Sequence, residues 1–412
     1  MPLADLCDEV QYGYTASASV EPIGPKFLRI TDIVGDTVSW AEVPYCVVDE
    51  EKSAKYRLND GDIVVARTGA TVGYAKHIRN PPPSVFASYL VRFRVGDAHN
   101  ARFVGAIIES DVYKAYIKAH AGGAAQPNAN AKVLGSFPVP VPPIRDQDKI
   151  AAVLAAYDEL IENNLRRIEI LEKMAQAIYR EWFVKLRYPD HEADDLVDSP
   201  LGPIPPGWEA STLGESNTFR LAKPAVAQYD GTRSYLATAD VRGFHERSAG
   251  TQSEYAELPS RAQHVPVRNS VWFGRMAEYQ KVMLFLPGSP DIGQLVLSSG
   301  FACVECENES WAAFMASWIL SDSFEPLKAK YATGATQVSL TDGGARQIPI
   351  LVPPETLVQA FGSIVVPILE LALTLRRQNS NLRVTRDLIL PKLVSGEIDV
   401  SDLDIDTSWL VA

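Results

Sequence analysis

The sequence predicts an α+β protein: two tandem, mixed, β-rich domains separated by an antiparallel pair of long α-helices, forming a pseudo-twofold internal repeat. Three observations predict it. First, SFPVPVPP at residues 136–143 returns as QIPILVPP at 347–354, each time ahead of a long helical run. Second, at an offset of 211, 12 of the 41 positions from 103 to 143 are identical, where chance at average composition gives about two or three. Nearer the start the offset is 208: Leu28, Asp32, Gly35 and Arg67 fall on Leu236, Asp240, Gly243 and Arg275. Third, apolar residues after each repeated exit keep heptad spacing for several turns.

Each copy opens with short β-runs such as DIVVAR and SVWFGR, of period two and punctuated by Gly or Asn. A helical stretch follows, at 101–120 and at 311–331, then a Gly-Gly or Thr-Gly loop, then FPVPV or IPILV as an alternating strand. Proline there has no N–H to donate, so an edge strand or an extended tether is expected. The first long helix carries Ile150, Val153/Leu154, Tyr157, Leu160/Ile161, Ile168, Leu171, Ala175, Ile178 and Trp182; the second carries Val365, Ile368, Ala372, Leu375, Leu382, Ile389 and Leu393. Asn164 and Asn379 interrupt the two seams. A buried Asn costs stability unless paired, and pairing fixes register. Setting Asn164 opposite Asn379 in an antiparallel pair places Ile161 against Leu382, Leu154 against Ile389 and Ile178 against Val365. The two halves are then expected at opposite ends of a rod of about 60 Å, at 1.5 Å per residue. The boundaries read from this pattern are domain 1 at 1–143, helix 1 at 144–187, a Pro/Gly/Asp-rich linker at 188–207, domain 2 at 208–354, helix 2 at 355–393 and a tail at 394–412.

Length alone calls for at least two domains. MPLADLCDEV has no basic n-region or apolar h-region, so no signal peptide is expected. Apolar windows such as 311–320 fall short of the roughly 18 residues that span a bilayer. Four cysteines make a disulfide framework unexpected and suit a reducing cytoplasm. The net charge of −12 argues at first against nucleic acid. Divided by segment it is −1 over 1–143, −5 over 144–199, −3 over 200–354 and −3 over 355–412. The first domain is thus nearly neutral and leaves room for a basic face.

Catalytic motifs are absent: there is no GxxxxGK[ST], HExxH or GxSxG. Asn80-Pro81-Pro82-Pro83 resembles the Asn-Pro-Pro-aromatic motif of amino-methyltransferases without its aromatic, and reads as a proline turn. Cys303-x-x-Cys306 is half a zinc motif with no second half nearby, so two cysteines on one face of a strand are expected and no metal site is assigned. The six His are scattered. Glu50-Glu51-Lys52 reads as a charged loop. Two loop sets remain. Arg67-Thr68-Gly69-Ala70-Thr71-Val72-Gly73 offers one cation, two hydroxyls and two glycines for close approach to guanine edges or phosphate. Its aligned loop is Arg275-Met276-Ala277-Glu278-Tyr279-Gln280-Lys281. The second set is Gly122-Gly123-Ala124-Ala125-Gln126-Pro127-Asn128, matched by Thr333-Gly334-Ala335-Thr336-Gln337-Val338-Ser339. Gln and Asn pair bidentately with adenine, although Gly-rich loops also serve as plain turns.

With these pieces in place, nearly the whole chain resembles the DNA-specificity subunit of a Type I restriction–modification enzyme. The carriers are DGDIVVARTGATVG, GGAAQPNANAKVLGSFPVPVPP and IRDQDKIAAVLAAYDELIENNLRRIEILEKMAQAIYREWF, with the join YPDHE…LGPIPPGWEASTLGE and the close LILPKLVSGEIDV. The resemblance implies a non-catalytic, cytoplasmic reader with no cofactor of its own. Two target-recognition domains each bind half of a split site in double-stranded DNA, and the paired helices act as spacer. The implied partners are two methyltransferase subunits, which carry S-adenosylmethionine and methylate adenine, and further restriction/motor subunits; no membrane is involved. The DNA-facing candidates are Arg67, Thr68, Thr71, Gln126 and Asn128 in the first copy and Arg275, Tyr279, Lys281, Gln337 and Ser339 in the second. The second copy departs from RTGATVG and lacks the Asn of QPN. Two alternatives are the recognition subunit of a related system with a fused methyltransferase–nuclease partner, and a two-headed scaffold that binds protein.

Overall fold

The alternation in DIVVA becomes a strand with a different core on each face. In the computed structural model, which describes every residue except 36, 123–126, 190–195, 247–249, 277–279, 335–337 and 412, the chain divides into two units: residues 1–162 with 381–412, and residues 163–380. The expected boundaries set each long helix apart as its own segment; the contacts instead divide both helices between the units.

Unit 1 is built on a four-stranded antiparallel sheet of β1 (Cys7–Tyr12), β2 (Ile63–Ala66), β3 (Ala75–His77) and β4 (Leu90–Val95), in the order β1-β4-β2-β3. Successive strand residues face opposite sides. Ile63 and Val65 therefore join the core beneath helix Ala101–Glu109 and helix Asp111–His120, with Phe93, Phe103 and Ile108. Val64 and Ala66 point the other way, to Leu28, Ile33, Phe86 and Leu90. Full burial of each large apolar side chain contributes roughly 1.5–3 kcal/mol. Arg92 is also fully buried. It escapes the cost of an unpaired buried charge by donating to the Arg57 carbonyl at 2.7 Å and to Glu9 and Gln11 at 2.8 Å each.

Unit 2 carries β5 (Phe219–Ala222), β6 (Ser270–Gly274), β7 (Val282–Phe285) and β8 (Phe301–Cys306), antiparallel and in the order β5-β8-β6-β7. Val271 and Phe273 face helix Glu309–Ile319, whose Asn308 cap accepts from Trp311 N. Trp272 faces a second cluster with Leu236, Met283 and Phe301. A further four-stranded sheet, formed by Thr251–Glu254, Thr232–Leu236, Leu295–Ser298 and Ala262–His264, completes the unit. Cys303 and Cys306 do not share a face, contrary to expectation. Three residues apart on β8, they alternate to opposite sides, Cys303 into the second cluster and Cys306 into the main core. Both are free thiols raised above the usual range by burial.

The repeated exits also differ. IPILV forms strand Pro349–Val352, paired antiparallel with Glu209–Thr212. FPVPV makes one bridge, Pro2 to Pro138, because its prolines lack donors. Its pairing passes instead through Val139 N to Met1 O at 2.7 Å and Leu3 N to Phe137 O at 2.9 Å.

The long helices run over Ile144–Tyr179 and Glu355–Ser395, the first continuing into a π-helical turn, Arg180–Val184. Within unit 1, Ile150 and Leu154 pack with Leu393 and Ile389, and Asp158 pairs with Arg386 at 2.7 Å. Within unit 2, Asn164 donates to Asn379 at 2.9 Å, Ile168 packs with Ala372 and Leu375, and Glu172 pairs with Arg376. In unit 1 Ile150 and Leu154 meet Leu393 and Ile389 before Asp158 meets Arg386, and in unit 2 Asn164 meets Asn379 before Ile168 meets Leu375 and Ala372, so the paired segments run in opposite senses. Ile161 is buried and Leu382 half-buried, whereas Leu160 is exposed. One expectation is corrected: the second long helix contains an 18-residue window apolar enough, by length and composition, to cross a bilayer. Its apolar residues Val358, Phe361, Val365, Val366 and Leu369 lie in the unit 2 core.

Candidate nucleic-acid interface

In unit 1 the two predicted loops are stitched together by backbone. Arg67 leaves β2 with its N–H on the Tyr89 carbonyl at 3.0 Å, and its own carbonyl accepts from Ala129 N at 2.9 Å. Thr68 bridges Asn128, and Gly69 N reaches the Pro127 carbonyl at 2.9 Å. Gly69, at φ +73°, adopts the left-handed conformation that this turn requires. Asn128 and Gly122 exchange bonds of 2.9 and 3.1 Å, and Gln126 lies outside the described residues. Thr71 sits half-buried in the next turn.

The Arg67 guanidinium lies 5.1 Å over the Tyr12 ring, a cation–π contact, and its buried Nε has no hydrogen-bond partner in the described structure. Tyr12 Oη in turn accepts from Ala131 N at 2.9 Å, tying β1 to the start of helix Ala131–Gly135. Tyr12, Tyr89 and Asn128 are exposed, so the loop pair presents aromatic and amide groups to solvent around one cation.

Unit 2 repeats the stitching with other side chains. Leu340 N reaches the Arg275 carbonyl at 2.9 Å, Thr333 and Ser339 exchange bonds of 3.0 Å each, and Met276 bridges Ser339. Arg275 itself turns inward, unlike the expected DNA-facing cation. Nε donates to the Phe301 carbonyl at 3.0 Å, Nη1 to Leu340 at 3.1 Å and Nη2 to Asp342 at 2.7 Å. Lys281 is likewise engaged, with Nζ 2.6 Å from the Thr238 carbonyl. Tyr279 and Gln337 lie outside the described residues.

Two further side chains hold this loop. Asp342 pairs with Lys223 and Arg275, which keep its carboxyl below the usual range, the Lys223 hydrogen bond foremost. The Lys328 ammonium, fully buried, donates to the carbonyls of Gly274 and Met276 at 3.0 and 3.1 Å and to Glu325 at 2.8 Å. Burial pulls its pKa down despite that carboxylate. At the 211 offset Lys328 falls on Ile117, which packs beside Gly73 in unit 1, and Lys223 falls on Tyr12. A search for identities passes over Tyr12, Lys223 and Lys328 because their counterparts differ. Position along paired strands, Gln11 opposite Arg92 and Ala222 opposite Cys303, is the signal that finds the first two.

Residues 27–173 match the family model described as Type I restriction modification DNA specificity domain. Over those residues the chain is similar to a Type I specificity domain. That domain takes in β2, β3, β4, the Arg67 and Asn128 loops and much of the first long helix. The chain is 24% identical, over 85% of its length and 81% of the relative's, to the Type I restriction enzyme MjaIX specificity subunit of Methanocaldococcus jannaschii. It is 22% identical, over 97% and 93%, to the putative MjaX specificity subunit of the same organism. Its fold is similar to the crystal structure of a Type-I restriction-modification system S subunit from M. genitalium, with a TM-score of 0.51 at 16% identity, covering 95% of each chain. Outside the matched specificity domain, in unit 2, the sheet order β5-β8-β6-β7 is the counterpart, strand for strand, of β1-β4-β2-β3.

Proposed function

We propose that the chain is the non-catalytic DNA-recognition subunit of a Type I restriction–modification system. Each unit reads one half of a bipartite site, with the paired helices as spacer and as docking surface for methyltransferase and restriction subunits. S-adenosylmethionine belongs to the methyltransferase partner. One observation carries this reading: both units join the same two loops by equivalent backbone hydrogen bonds, Ala129 to Arg67 and Leu340 to Arg275, yet dress them with different side chains. A common frame with different contact groups suits a protein that reads two different half-sites, because base edges are distinguished by donor–acceptor pattern. The tandem duplication of about 210 residues draws support from the matching strand orders and accounts for that common frame.

The test is co-expression with a Type I methyltransferase subunit, followed by mapping of methylated adenines. A split motif with a fixed gap is expected. A short continuous motif overturns the reading.

A further inference from the structure

Unit 2 holds a groove of about 340 Å³ between the end of β5 and the short helix Asp342–Arg346. Ala302 and Cys303 are among the β8 residues that line it, and Lys223, Arg275, Asp342 and Arg346 bring three cations and one carboxylate to it. Asp342 is already shared between Lys223 and Arg275. Lys223 remains 60% exposed, and the Arg346 side chain has no hydrogen bond or ion pair among the described residues.

The frame around these cations is rigid. A Cβ on Gly214 would lie 2.8 Å from Arg346 Cβ, and Gly214 N donates to the Arg346 carbonyl at 3.0 Å. A Cβ on Gly344 would meet the Tyr331 carbonyl oxygen at 2.2 Å. The helix that carries Arg346 is thus pinned on two sides by close backbone approach. In unit 1 the positions corresponding to Lys223, Asp342 and Arg346 are Tyr12, Ala131 and Gly135, none of them charged, and Arg275 corresponds to Arg67.

We infer that this groove seats one segment of duplex sugar–phosphate backbone, held by Lys223 and Arg346, while Arg275 and Asp342 serve as its fixed wall. This rests on the DNA-recognition reading above. It gives a chain of net charge −12 a local phosphate contact made by two positions that are uncharged in unit 1. Phosphate contacts position a protein on the duplex without reading sequence, so the groove sets affinity and leaves the recognised motif unaltered.

The experiment measures binding of the full chain to a duplex bearing the mapped motif, from 50 to 200 mM salt, for wild type, R346M and K223M/R346M. Each lost phosphate contact lowers the salt slope by about 0.9. The double variant should therefore lose about twelvefold less affinity across that range than wild type, and R346M, which breaks no ion pair, should show half the change in slope. Methylation mapping with the double variant should return the same motif. Wild-type binding with unchanged slopes in both variants overturns the groove and leaves the reading of the chain intact. A motif altered in one half overturns the phosphate role, since it marks a base contact. Inorganic phosphate that protects wild type but not R346M from heat, with slopes unchanged, assigns the groove to a free anion and overturns the duplex contact. No binding by wild type sinks the reading and the groove together.

Discussion

Arg67 and Arg275 occupy aligned positions and do different work. Arg67 rests on an exposed tyrosine ring with its Nε unpartnered, whereas Arg275 satisfies two carbonyls and a carboxylate. Replacing each by Met should separate the two roles. Arg67→Met is expected to lower duplex affinity by about 1–3 kcal/mol, with the urea midpoint unchanged. Arg275→Met leaves buried acceptors unpaired and is expected to cost about 1–3 kcal/mol of stability in urea unfolding. Equal effects of the two substitutions on stability would show that Arg67 too is a structural cation.

The helix pair poses its own question at the scale of an element, because Asn164 and Asn379 are both buried in an otherwise apolar seam. Their mutual hydrogen bond satisfies the Asn164 amide N–H with the Asn379 carbonyl oxygen. Asn379→Leu alone should destabilise unit 2 by about 1–3 kcal/mol, since it strands a buried amide. Adding Asn164→Leu should restore stability to wild type or above while releasing the register, because a polar pair trades stability for specificity. Urea denaturation of the three variants measures this. A double variant no more stable than the single one would mean that the pair contributes packing and not register. The same helices carry the ion pair Asp158–Arg386 within unit 1 and Glu172–Arg376 within unit 2; the Glu172 carboxyl is raised by burial, opposed by its arginine.

For the whole molecule, separate cores in the two units allow one recognition surface to change without the other. Arg67→Met in the methyltransferase complex should relax sequence preference in one half of the mapped motif and leave the other half and the gap unchanged. Relaxation of both halves would show that the two surfaces do not read independently. The acidic net charge also matters at this scale. It opposes non-specific attraction to DNA, which places more weight on local cations such as Arg67, Lys223 and Arg346.

The sequence by itself determined the amide partners, and it pointed to a two-copy plan and to two loop sets. Each of these is written as a period, an offset or a residue type out of place, and such signals survive without coordinates. The strand pairing of IPILV and its failure in FPVPV were legible in part, from the count of prolines. What only the tertiary structure decided is which cations face outward. Arg275 is turned in by Phe301, Leu340 and Asp342, acceptors 26 to 67 residues away, and Lys328 is buried by a loop more than 50 residues before it. A charge goes where its hydrogen-bonding partners are, and those partners are assembled by folding, so no local pattern in the chain announces them.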